Sequence, residues 1–584
     1  MPEPEPPVPA EAPAMVLVER CVVLVDELEE TIEEIGGLSL DRYIEIESAI
    51  RGTSERGAIQ NEAFDEAVAR RRKVEEDAFA ILRKRKASRT PAVRKEPLPE
   101  AACAFFDIYS ELLDAIELSS VAAADPPPTV TRLSLKVSRP PRHLVSGYPS
   151  EAFIAGGHRC FLVLYVDGYR PGTRKPGFYL VYNAWANSVA VVPPHFGVDE
   201  TSHCDIGAGA VVLCCGEEPD YILAELLLRR KEGHLLPTTT NKATLFIWGS
   251  STGQWVQSEV LLPLPTTPAS AAAAQDDDEE QAGTATVTFR ADMAFAVSFS
   301  SICWVDLLTG ILVYNHIHSG KFHFIPLPEE CVTGSVPRGV RGQRPPEEYR
   351  SMCCIDRQTL KFVSMDRSYN QECPMLTTWT LRWPLSPANW KWHKDPVSSF
   401  SMQDLWEDPV YKAKLKLEPL LPTCPVISTQ EPGTIYISVN DCIHYKHSHV
   451  LSLDMGRCRV EGAYEVPADD ENGIVPHPRI FTSDFSSYLN KTREWEMKHG
   501  RRDDLYEGPL ADEEEPRSNP SPYTVGVGLI AVTLKLTRGA GLGAGRVIPT
   551  PSTALGPTSR RTGPLASSLF CPVGLQAALD NAIV

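Results

Sequence analysis

The sequence predicts a mainly β protein: a propeller-like array of about five or six antiparallel blades, preceded by an α-helical segment and followed by a disordered tail. Three observations predict it. The tetrapeptide LVYN occurs at 180–183 and again at 312–315, each time followed by a turn and a second apolar run that exits at Pro193 or Pro326. The strand-ending aromatics Tyr182, Trp248 and Tyr314 stand 66 positions apart, and the next step falls beside Trp379. Finally, 50 prolines against 38 glycines indicate many turns rather than long helices. A small antiparallel sheet cannot bury both faces alone, and radial stacking of such sheets solves this while protecting their edges.

Residues 1–14 alternate Pro and Glu, have nothing to bury and are expected to be disordered. Residues 15–125 are expected to form a helical segment. Val25, Leu28, Ile32 and Ile35 share one helical stripe that stops at Gly36 and Gly37. A short helix is expected around Tyr43 and Ile50, a longer one from Phe64 to Leu82, and a fourth over 101–118 with Phe105, Ile108, Leu112 and Ile116 on its stripe. Asp125 and Pro126, Pro127 and Pro128 then break the helical pattern. Across 126–470 the period becomes alternating, with strands expected at 161–167, 178–182, 189–192 and 210–214. Five repeat units emerge near 129–200, 205–265, 284–330, 349–396 and 422–467, with a helical insertion around 402–418. A stacked pair of β-sandwiches is the alternative architecture. Residues 471–584 are expected to be a mostly disordered tail, acidic at 503–515 and then rich in Gly, Ala, Ser, Pro and Thr, with one alternating run at 525–536.

Taken in order, TVTRLSL, GAGAVVLCC, YILAELLL, LFIWGSSTGQWVQSEVLLPLP, FSSICWVDLLTGILVYN, FHFIPLP, MCCIDRQTLKFVSM, WTLRW and GTIYISVN resemble the plant domain-of-unknown-function 1618 family over residues 129–467. The block from Trp304, Val305 and Asp306 to Pro328 is the most specific part. The resemblance implies a propeller-like β domain and carries over no catalytic residue. The same units are more distantly similar to kelch-like and F-box-associated propellers. Leu98, Pro99 and Glu100 begin like an F-box, but only one helix fits before Asp125, where an F-box needs several.

Motifs that carry chemistry elsewhere fail on their flanks here. Gly249 to Gly253 satisfy G-x-S-x-G, yet the chain continues as a strand from Trp255, so Ser251 belongs to a hairpin turn rather than a nucleophile elbow. Gly539 to Ala544 match G-x-G-x-x-A, but Pro549, Pro551 and Pro557 forbid the helix that would receive a pyrophosphate. His316, His318 and His323, and likewise His444, His447 and His449, cluster without a carboxylate or thiol tied to them by spacing, and are read as loop or strand-surface residues. Trp248, Trp255, Trp304, Trp379, Trp383, Trp390 and Trp392 are read as packing between sheets, with a protein-binding hot spot on the propeller's upper face as the alternative for some of them.

The net charge of −19 disfavours binding to a phosphate backbone. Within it, residues 70–95 hold eleven basic and three acidic side chains, read either as a nuclear-import or acidic-partner surface or as a solvated helix face paired with the acidic loops at 276–280 and 503–515. The fifteen cysteines show no C-x-x-C spacing, which indicates reduced thiols in the cytoplasm or nucleus rather than a zinc site. No apolar run reaches the roughly eighteen residues of a membrane span, and the N-terminus lacks the pattern of a signal peptide. The functional expectation is a soluble, non-enzymatic protein-interaction scaffold with an unidentified protein partner and no cofactor. An enzyme assembled from different blades and a substrate-recognition adaptor in ubiquitination are the alternatives. No catalytic, cofactor-binding, metal or other binding residue is assigned.

Overall fold

The computed structural model describes residues 13–36, 57–89, 93–97, 116–119 and 126–138, and within 152–489 the strands, turns and helices named below with their flanking residues. All of these lie in the first of two compact units, 1–508. The chain is mainly β and propeller-like. Five successive antiparallel meanders carry it. The first joins Ala152–His158, Phe161–Val166, Phe178–Asn183 and Ser188–Val192. The second joins Ala210–Cys214, Tyr221–Arg230, Thr239–Gly249 and Gln254–Leu261. The third joins Met293–Ala296, Ile302–Asp306, Gly310–Asn315 and Lys321–Pro326. The fourth runs through Arg350–Ile355, Thr359–Asp366, Met375–Arg382 and His393–Ser401, and the fifth through Thr423–Ile427, Thr434–Asn440, Ser448–Asp454 and Arg459–Val466. Four of them fall within the expected repeat units and the fourth runs past 396 to Ser401, while Tyr182, Trp248, Tyr314 and Trp379 all occupy the third strand of their meander, buried.

The number of blade-like sheets corrects the expectation of five or six. Among the described residues there are seven sheets of three or more strands. The two additional ones are three-stranded. One joins Ile480–Ser483, Val16–Glu19 and Val130–Thr131; the other joins Val23–Asp26, Ser134–Val137 and Ile116–Leu118. Each contains a strand from 16–26 paired with a strand beyond residue 129, so no local repeat announces them. They draw strands from segments expected to be helical or part of the tail. The segment 15–125 is not purely helical, residues 116–118 end in a strand rather than in the fourth helix, and the tail assigned from 471 supplies a strand. The short apolar run from Met15 to Val18 takes a partner at the other end of the propeller, a pairing that local periodicity does not encode.

Two expected helices are present. α1 (Glu27–Glu34) is capped by Asp26, whose carboxylate accepts from the Leu28 and Glu29 N–H groups at 3.0 and 3.2 Å. α2 (Gly57–Ser88) packs on it through Ala78 and Leu82 against Leu28 and Ile32. Part of the basic run on α2 and just after it is engaged with nearby acids: Arg71 with Glu29 and Glu75, Arg85 with Glu34 at 2.7 Å, and Arg89, past the helix end, with Glu27 and Glu117. Burial alone would raise the Glu27 carboxyl, but the Ser138 hydroxyl and the Arg89 guanidinium outweigh it and hold that group below its ordinary range. The helical insertion is α3 (Met402–Glu407) and α4 (Pro409–Leu415). The expected helix near Tyr43, most of 101–118, the acidic loops at 276–280 and 503–515, and the run at 525–536 lie outside the described residues.

The core is a series of layers between neighbouring sheets. In the third meander Ile302, Trp304, Leu312 and Tyr314 face the second, while Cys303, Val305, Ile311 and Val313 face the fourth. Alternate side chains of one strand thus enter two different layers, which is why ICWVD and ILVY read as unbroken apolar runs. The ring is closed by strand Val16–Glu19 lying antiparallel to Ile480–Ser483, with Met15, Leu17 and Ile480 packed against Val426, Tyr436 and Val450 of the fifth meander. Closure therefore needs both flanks of the repeat region. A fragment spanning 125–470 is expected to lose the cooperative thermal transition of the full chain in far-UV circular dichroism. Leu17→Ala in the full chain is expected to cost about 2–5 kcal/mol in urea unfolding, because the side chain is wholly buried.

Candidate functional site

The innermost strands of four of the five meanders, together with Ile480–Ser483, line a cavity of about 650 Å³. Strands Ala152–His158, Met293–Ala296, Arg350–Ile355, Thr423–Ile427 and Ile480–Ser483 all contribute to its wall. Phe153, Phe295, Phe481 and Met352 supply apolar surface, and Arg20, Arg159, Arg350, Asp292, Asp356 and Asp484 supply charge. That size and mixture suit a ligand or a partner's side chains.

The charged groups of this wall are engaged with the protein itself. Arg20 donates to the Ile154 and Ala155 carbonyls at 3.3 and 3.0 Å, and its guanidinium lies 5.0 Å from the centre of the Phe481 ring. Arg350 is buried and forks between the Leu307 and Cys331 carbonyls, both at 2.8 Å, with the Ser364 hydroxyl at 3.2 Å. It thereby ties the fourth meander to turns of the third. Arg159 donates to the Tyr488 hydroxyl at 3.3 Å and approaches the Cys214 sulfur at 3.6 Å. Asp292 accepts from the Leu307 N–H at 2.8 Å, Asp356 from the Gln358 N–H at 3.1 Å, and His158 Nδ1 from the Cys214 N–H at 3.1 Å. Among the described residues no group of three His, Cys, Asp or Glu stands close enough to hold a metal ion.

A second polar cluster lies between the first two meanders and does not line the cavity. Glu225, fully buried, accepts from the Tyr179 hydroxyl and the Gly207 N–H and lies against His195 Nε2. The His195 ring stacks on Phe246 at 4.2 Å and meets the edge of Trp255, also at 4.2 Å. Burial, reinforced by the Glu225 charge, pushes the Tyr179 phenol well above its ordinary range. Gly207 has φ of +87°, and a Cβ there would stand 2.7 Å from Tyr165 Cγ, so glycine is needed for its N–H to reach the carboxylate. The cluster binds two blades together. Its signal was present in the sequence: Glu225 interrupts the apolar run YILAELLL, and a charge inside a doubly buried strand requires partners.

Tryptophan indoles form a third set of cross-blade contacts. Trp255 donates to the Pro193 carbonyl at 2.9 Å, Trp304 to Gly209 at 2.8 Å, and Trp392 to Pro326 at 2.9 Å. Both exit prolines of the LVYN units thus receive an indole from a following blade. Asp306, buried, caps the next turn by accepting from Leu308 and Thr309 N–H at 2.8 and 3.1 Å and from Arg290 N–H at 2.9 Å.

Residues 304–436 match the family model described as a protein of unknown function, DUF1618. The DUF1618 match begins at Trp304, within the block that carried the resemblance, and ends in the second strand of the fifth meander, so it is shorter than 129–467. No curated protein matches the chain. Among solved structures, a family-43 β-1,3-galactosidase with galactodeoxynojirimycin is 12% identical, with 56% of this chain and 92% of that one covered and a TM-score of 0.25. An uncharacterised protein from Listeria monocytogenes is 10% identical over 54% and 82%, with a TM-score of 0.20. An ulvan lyase of polysaccharide lyase family 25 is 11% identical over 54% and 82%, with a TM-score of 0.21. At these scores the likenesses carry no argument about activity.

The motifs weighed in the sequence do not converge. Ser251 is exposed in the turn between Thr239–Gly249 and Gln254–Leu261, where Gly253 donates to the Gly249 carbonyl at 2.9 Å. His323 meets the Trp390 ring edge-on in the third meander, whereas His449 is buried in the fifth. His316, His318, His444, His447, Trp383 and Gly539 to Ala544 lie outside the described residues.

Trp304→Phe is expected to lower stability by about 1–3 kcal/mol in urea unfolding, since it strands a buried carbonyl. Trp392→Phe, at the surface, should cost less. A second expectation concerns alkaline pH. Burial pushes Tyr436 up to about 12 and raises Tyr179, Tyr182 and Tyr221, so these phenols stay neutral in the fold while unfolded ones ionise at about 10. The urea midpoint should accordingly show no loss from these groups below pH ~9 and fall progressively above pH ~10.

Proposed function

We propose that this protein is a non-enzymatic interaction scaffold whose central cavity and the blade ends around it receive a protein partner. The observation that carries the reading is the commitment of the cavity's Arg20, Arg350, Asp292 and Asp356 to the propeller's own backbone. A group held by several hydrogen bonds to the scaffold supplies shape and fixed charge. A general acid or base must instead reach the proton it transfers. Phe153, Phe295 and Phe481 give the wall apolar contact area of the kind that anchors a partner. The ten described cysteines are all free thiols, which supports a cytoplasmic or nuclear setting as part of this proposal.

The test compares the full chain with Ser351→Trp, which narrows the cavity from its wall. A partner crosslinked by the wild type and lost from Ser351→Trp, at an unchanged thermal midpoint, is the expected result. Substrate turnover abolished by Glu347→Gln or Asp484→Asn would overturn it in favour of an enzyme, and equal capture by both proteins would remove the cavity from the interaction.

A further inference from the structure

The outermost strand of the second meander, Gln254–Leu261, differs from its counterparts. It pairs with Thr239–Gly249 through eight consecutive residues without a bulge, from Gln254 opposite Gly249 to Leu261 opposite Lys242. Among the described residues no strand pairs with its other edge. Val256 and Leu261 are 61% and 67% exposed, more than any other large apolar side chain described.

Proteins ordinarily protect such edges with lysine, proline, bulges or a covering segment. The other four meanders each carry such a device. Arg94–Lys95 pairs alongside Ser188 and Val189 and covers the first. The third outer strand begins at Lys321 and ends at Pro326. The fourth contains Lys394 and Pro396 and has an irregularity beside Trp379, and the fifth begins at Arg459 and has one beside Leu453. In Gln254–Leu261 the one charge is Glu259, which is already paired with Arg229 of the same meander. Among the described residues the edge is therefore long, free of bulges, apolar at intervals and uncovered.

Its sequence, QWVQSEVL, is complementary to itself. When two copies run antiparallel about a two-fold axis through Ser258, opposed residues share the same face of the combined sheet. Val256 of one copy then meets Val260 of the other, Trp255 meets Leu261, Gln257 meets Glu259, and Ser258 meets Ser258. Apolar groups oppose apolar groups, and neither glutamate faces its own copy. Shifting the axis to Gln257 would instead place Trp255 opposite Glu259 and Val256 opposite Ser258.

We propose that two copies of this chain associate through antiparallel pairing of their Gln254–Leu261 edges, joining the second meanders into one continuous sheet. An edge pair of this length buries less than a standard interface, so the dimer is expected to be concentration-dependent, with a dissociation constant on the order of micromolar. The proposal is independent of the cavity reading above.

Sedimentation velocity on the full chain across a concentration series tests it. The expected result is a reversible shift to twice the chain mass. Val256→Lys, at an exposed position, should weaken the dimer at least about tenfold, the effect of roughly 1.4 kcal/mol, while leaving the thermal midpoint in place. The register is tested separately with Ser258→Cys and oxidised glutathione. Opposed Cα atoms about 4.5–5.5 Å apart lie within disulfide range. The two introduced thiols lose two protons and two electrons to glutathione disulfide, which leaves as two glutathione molecules, and one intermolecular S–S bond forms. A non-reducing gel should show a dimer band for Ser258→Cys that the wild type lacks. A wild type that stays monomeric throughout, a dimer indifferent to Val256→Lys, or a dimer that Ser258→Cys fails to crosslink overturns the proposal. An extended segment of another protein on this edge of a monomeric chain does so as well.

Discussion

The antiparallel pairing of Val16–Glu19 with Ile480–Ser483 is the constraint on which the other packing depends. A strand such as Ile302–Asp306 sends alternate side chains into two layers, so no meander can bury its apolar residues without a neighbour on each side. A linear stack would leave the first and last meanders open. The strand near the N-terminus and the one near 480 cover the fifth meander, and the Arg20 and Cys21 backbones then join the first through Ile154 and Phe153. Closure converts five marginal sheets into mutually supporting layers.

Polar contacts between blades give these layers their register. Apolar packing tolerates sliding, whereas an indole donor at 2.8–2.9 Å from a particular carbonyl does not. Trp255 and Trp392 each reach back to the proline that ends an LVYN unit, two meanders apart. The Glu225 cluster works in the same way in the first interface. There a carboxylate is tolerated in an apolar strand because Tyr179, His195 and Gly207 surround it. Arg350 serves the interface between the third and fourth meanders through two carbonyls.

These commitments shape what the cavity can offer. Its wall is rich in ionisable side chains, yet Arg20, Arg350 and Asp292 hold strands and turns in place. The remaining wall combines fixed charge with phenylalanine rings. Among the described residues the outer edge of Gln254–Leu261 carries no covering strand, and its own sequence lacks the lysine, proline or bulge found in the other meanders. The fold thus combines a concavity lined by four of its five meanders with an outer strand that lacks the devices of the others.

Local sequence determined the meanders and their phase. The Tyr and Trp markers 66 positions apart all lie in third strands, the exit prolines end fourth strands, and Asp26 marks the start of α1, because turn chemistry, alternation and helix capping act over a few residues. Trp255 and Trp304 could be read as core from their type and strand context, but not the carbonyls their indoles reach. Glu225 announced a need for partners without naming Tyr179 or His195. The two three-stranded sheets, the closure of 16–19 with 480–483 and the cavity wall were decided only by tertiary structure. Val16 lies opposite Ser483 and Val23 opposite Ser134, and the free energy of such pairings depends on which surfaces the rest of the chain has already brought together.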